Sequence, residues 1–114
     1  GLPEAAALGY RDRIPKLIED YDARPPEEKP YGLTGADIAF IFSGLSGEID
    51  FVLSLMKNVC DINVGQDSDV GNVGRSAALS GNVDLVRMLV NEHGVQLENP
   101  LSRRPIAFEA LCAP

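Results

Sequence analysis

One pattern recurs in this chain at a spacing of about 34 residues, and it limits the possible folds more than any other feature. Three stretches carry it: "LGYRDRIPKLIEDYDA" from Leu8, "SGEIDFVLSLMKNVCDIN" from Ser46 and "SGNVDLVRMLVNEHGVQLEN" from Ser80. Their glycines, Gly9, Gly47 and Gly81, lie 38 and 34 residues apart. An apolar stripe at helical spacing follows each glycine. The stripes are Ile14, Leu17, Ile18 and Tyr21, then Ile49, Val52, Leu55 and Met56, then Val83, Val86, Leu89 and Val90. Residues three and four apart share one helix face, so each stripe predicts a helix with one buried side. Small residues precede each glycine: Ala5 and Ala6, Ser43 and Gly44, Ala77 and Ala78. They let a second helix pack closely, and the glycine suits a tight turn that needs a positive φ. Each unit reads as a short helix, a tight turn and a slightly longer helix.

The third unit, "SAALSGNVDLVRMLVNEHGVQLE", and the second, "SGLSGEIDFVLSLMKNVCDIN", resemble the ankyrin repeat. That repeat has a TPLHxAAxxG first helix, a V-V-x-L-L second helix and a GADVN exit. Here "VCDIN" stands where GADVN would, with Cys60 replacing the alanine. A fourth unit opens as "SRRPIAFEALCAP", matching at Pro105 and Ala110. The resemblance covers almost the whole chain, although the second and third first-helices lack the proline and histidine.

It implies an all-α fold, a helix-turn-helix repeat solenoid of about three helix pairs plus a partial fourth repeat. The units of this single domain, 1–114, are expected near 1–23, 33–66, 67–99 and 100–114. The stretch 22–32, "DARPPEEKPYG", is an extended loop or insertion, since its prolines and charges oppose regular structure. Pro15 is tolerable only in a first helical turn, which predicts a helix from near Arg13 with Asp12 as cap. By the resemblance, Cys60 packs inside. A last helix, Pro105 to Leu111, would leave Ile106, Phe108 and Leu111 uncovered. End units of a stack need cover, so more chain, a larger assembly or a second copy is expected over this end.

At 114 residues the chain suits one domain, and its apolar fraction of 45% is too high for disorder. The net charge of −7 disfavours nucleic acid and anionic lipid, whose phosphates it repels. No apolar run approaches the ~20 residues that cross a bilayer, and no signal peptide is evident. The chain starts at Gly1 rather than Met, which is read as trimming or excision. Two cysteines, Cys60 and Cys112, are too few for a disulfide scaffold. Buried free thiols in a soluble protein of a reducing intracellular compartment are expected.

Catalytic patterns fail one by one. The single histidine, His93, falls at a helix end, and one ring makes neither a metal site nor a catalytic pair. "DSDVGN" from Asp67 lacks the glycine and carboxylate that a calcium loop needs at its sixth and twelfth positions. "GQDSDVGNVGRSA" from Gly65 is glycine-rich, but no Gly-Lys-Ser/Thr follows. The pairs Glu19/Asp20 and Glu27/Glu28 read as solvated surface. The expectation is a non-enzyme without cofactor or metal.

The ankyrin resemblance implies protein recognition through turn tips and the exposed faces of the first helices. On this chain the partner-binding candidates are Phe42, Leu45, Ser46, Asp67, Ser68, Asp69, Leu79, Ser80, Leu101, Arg103 and Phe108. Phe42, Leu45 and Leu79 would form an apolar anchor patch. The expected partner is a protein, within a larger complex, with a homo-oligomer as one form of it; nucleic acid and membrane insertion are not expected. The reading is a non-catalytic interaction module or scaffold subunit. The alternative is a regulatory or docking segment of a larger enzyme.

Overall fold

The computed structural model describes residues 1–29, 32–99 and 104–105, with backbone alone for 98–99 and 104–105. Among these residues the chain is all-helical apart from one minimal strand pairing. Six α-helices follow one another: α1 (Leu2–Leu8), α2 (Ile14–Asp22), α3 (Gly35–Ser43), α4 (Ile49–Met56), α5 (Val73–Ser80) and α6 (Val83–His93). Strands β1 (Glu98–Asn99) and β2 (Arg104–Pro105) pair antiparallel, Glu98 opposite Pro105 and Asn99 opposite Arg104. Pro105 is therefore strand rather than the first residue of a helix. The rest of the expected last helix lies outside the described residues.

The helices form where local chemistry can end them. Thr34 closes a capping box on α3: its Oγ1 accepts from the Asp37 amide at 3.1 Å, and Asp37 Oδ2 accepts from the Thr34 amide. Asp22 Oδ1, from the end of α2, accepts from the Gly35 amide at 2.7 Å and so satisfies another free donor of that helix start. Asn72 and Asn82 cap α5 and α6 through the amides of Arg75 and Leu85. Pro15 falls in the first turn of α2, as its missing amide requires, but Asp12 does not cap that helix. Residues Arg11–Arg13 instead form a 3-10 turn that leads into Ile14. Asp22 belongs to α2, and Pro26–Glu28 make a further 3-10 turn, so the proline-rich stretch is partly regular.

Gly9, Gly47 and Gly81 sit in the left-handed region, with φ of 76°, 69° and 81°. Around them the turns close in two ways. At the second and third, the serine before the glycine is a bridge. Ser46 Oγ donates to the Ser43 carbonyl and accepts from the Glu48 amide, and Ser80 Oγ does the same between Ala77 and Asn82. At the first, Leu8 replaces the serine, and the Tyr10 amide reaches the Ala5 carbonyl directly at 2.9 Å.

Helix α3 is the hub, packing against α1, α2, α4 and α5. Ile38, Ala39, Phe40 and Ile41 on it are fully buried. Each large apolar side chain so enclosed contributes roughly 1.5–3 kcal/mol. Just beyond α3, Gly44 meets α5 backbone to backbone: a Cβ placed there would lie 2.9 Å from the Ala77 nitrogen and the Val73 oxygen. The stripes hold in outline. Ile14, Tyr21, Val52, Leu55, Val86 and Leu89 are buried, joined by Phe51 and Leu85, while Val83, the first residue of α6, is 40% exposed. Cys60 is a free, exposed thiol and does not pack inside, because it lies in the exit strand of chain after α4 rather than on a covered face.

Candidate interaction groove

The C-terminal ends of α3 and α5 run side by side, and the loop before α5 folds up beside them. Asparagines hold that loop in place. Asn63 Oδ1 accepts from Asn72 Nδ2 at 3.2 Å and from the Gln96 amide at 2.8 Å. Asn72 Nδ2 also donates to the Gln96 carbonyl at 2.8 Å, while its Oδ1 caps α5. One nearly buried side chain thus ties the loop, the helix start and the exit of α6 together.

The result is a groove of about 310 Å³ lined by Phe42, Leu45, Asp69, Val70, Arg75, Ser76 and Leu79. Leu79 is 67% exposed, while Phe42 and Leu45 beside it are half-buried. Arg75 enters from the first turn of α5, and its Nη1 donates to the Asp69 carbonyl at 2.8 Å. Two other concavities lie at the first helix pair. One, of about 400 Å³, is walled by five consecutive residues, Gly9 to Arg13, so a partner would meet a single turn there. A smaller one is lined by Leu8, Tyr10 and Leu17, with Glu4 at its edge. A hydrogen bond to the Gly1 amino group holds the Glu4 carboxyl below its ordinary pKa.

Four residues chosen from sequence therefore meet in one place: Phe42, Leu45, Asp69 and Leu79. Asp67 is exposed on the same loop. Ser68 is turned inward, its Oγ donating to the Gly65 carbonyl at 2.7 Å. The hydroxyls of Ser46 and Ser80 are occupied in their turns. Leu101, Arg103 and Phe108 lie outside the described residues. Val70, Arg75 and Ser76 were not anticipated. Arg75 had one legible signal, its place three residues after the capping Asn72 and four before Leu79, which puts it on the Leu79 face of α5.

His93 is exposed at the end of α6. Among the described residues no cluster of three or more His, Cys, Asp or Glu could hold a metal ion, and no helix is long and apolar enough to cross a membrane. Compared with protein-family models, curated proteins and solved structures, the chain matches none.

Proposed function

We propose that this chain is an ankyrin-like repeat module that binds a protein partner without catalysing a reaction, using the groove between α3 and α5. The observation that carries the reading is the convergence of exposed Leu79 with half-buried Phe42 and Leu45 on one open groove. Interfaces concentrate their energy in a few such anchors. The repeat-solenoid reading is supported by the three left-handed turn glycines and by the links between successive turns. Asn82 Nδ2 donates to the Gly47 carbonyl at 2.7 Å, and Glu48, one repeat earlier, reaches over Gly9. An exposed free thiol at Cys60 suits a reducing compartment.

A photo-cross-linker placed at position 42 or 45 of the full chain tests this, with Leu79→Asp as control. The groove reading expects a recurrent protein cross-link that Leu79→Asp abolishes. Because Leu79 is mostly exposed, the substitution should leave helicity intact and shift stability by no more than about 0.5 kcal/mol. Cross-linking that survives Leu79→Asp, or unfolding of that variant, would overturn it.

A further inference from the structure

The groove is chemically lopsided, and the asymmetry specifies what it takes. Its floor is apolar, from Phe42, Leu45, Val70 and Leu79. Its charged lining residues are Arg75 and Asp69, in a chain of net charge −7. The Arg75 stem lies along the loop backbone, where a Cβ on Gly71 would sit 2.7 Å from Arg75 Cδ. The bond from Nη1 to the Asp69 carbonyl then pins the guanidinium at the groove wall. The ion pairs among the described residues are Gly1–Glu4, Arg11–Glu48 and Lys16–Asp20, so no described carboxylate forms an ion pair with Arg75. A guanidinium has five donors in a planar fork, and one is used here. Such a fork matches a carboxylate, which it can hold through two parallel bonds.

Resting on the protein-binding reading above, we infer that the groove receives a peptide segment of another protein that carries a bulky apolar side chain and, next to it, a carboxylate. The apolar group fills the space between Phe42, Leu45 and Leu79, and the carboxylate meets Arg75. Asp69 lines the groove itself and Asp67 is exposed on the same loop. Both repel added negative charge, so a single carboxylate on the Arg75 fork is tolerated better than a dianionic phosphate.

Fluorescence polarisation tests this with three labelled serine-glycine nonapeptides carrying Leu-Phe-Glu, Leu-Phe-Gln or Leu-Phe-Lys at the centre. The glutamate peptide should bind about fivefold tighter than the glutamine peptide, as a half-exposed charge pair would give, and the lysine peptide weakest. Arg75→Gln should erase the glutamate preference while leaving the glutamine peptide within about twofold of its original affinity. Arg75→Lys should keep part of the preference, since the charge stays and the fork is lost. Leu79→Asp should weaken all three. Equal or tighter binding of the lysine peptide, a glutamate preference that persists in Arg75→Gln, or no binding of any peptide at about 1 mM would overturn the inference. Concentration-dependent self-association that Leu79→Asp abolishes would overturn it too, by placing a second copy in the groove. If partner cross-linking depends on Leu79 but the peptides show no charge preference, this inference fails alone. If cross-linking ignores Leu79, the function reading fails with it.

Discussion

The first turn and the two later turns solve one problem with different atoms. All three place glycine in the left-handed region, and all three must satisfy the amide just after it. In the later turns a serine hydroxyl is inserted between that amide and the carbonyl four residues before the glycine. In the first turn, Leu8 offers no hydroxyl and the amide takes the carbonyl directly. The path of the chain differs accordingly. After the serine-bridged turns, α4 and α6 begin two residues past the glycine; after the direct turn, α2 begins five residues past it, behind a 3-10 turn. The glycine places the turn, while the residue before it goes with the route into the next helix.

The junctions differ in the same spirit. Between the second and third pairs, contact is backbone on backbone at Gly44, with the neutral Asn82 bond across the turns. Between the first and second pairs, charged side chains add to the apolar contact of α1 and α2 with α3. Asp22 holds the start of α3, Arg11 and Glu48 approach at 4.0 Å, and Arg11 lies over the Phe51 ring at 5.4 Å.

The largest test of this contrast is Gly44→Val. A side chain there has no room against the α5 backbone, so a loss of about 3 kcal/mol is expected, read as a lower urea midpoint at constant slope. Next comes the pair Asn82→Ala and Glu48→Ala, at matching positions of successive turns. Asn82→Ala removes a cap and a turn-to-turn bond and should cost about 1–2 kcal/mol, with little dependence on salt. Glu48→Ala removes a long, half-exposed ion pair and should cost less than about 0.5 kcal/mol, shrinking further as salt rises. The finest test is Ser80→Ala. If the third turn can close as the first does, the cost stays near 0.5 kcal/mol, below that of a lost buried hydrogen bond at about 1 kcal/mol or more. A full-sized loss would mean that the two closures are not interchangeable.

Much of this was legible in the sequence because it depends on local chemistry. The turn glycines, the stripes and the first-turn placement of Pro15 all follow from backbone geometry and helical spacing. What escaped depended on tertiary neighbours. Phe51 lies off the stripe read for α4 but is buried, with Arg11 over its ring. Cys60 was assigned inward by analogy, and its exposure depends on the path of the exit from α4. Of the groove, the apolar anchors were visible as leucines just before turns. Spacing could place Arg75 on the Leu79 face, but not its role, which comes from a bond to a loop carbonyl six residues away.

Helix α3 packs against α1, α2, α4 and α5, and its buried stretch is Ile38 to Ile41. The outer helix pairs are expected to open locally while α3 stays folded, and the amides of Ile38 to Ile41 to exchange only when both neighbouring junctions come apart together. The middle of the chain therefore records the global opening of the protein, and the ends record their own fraying.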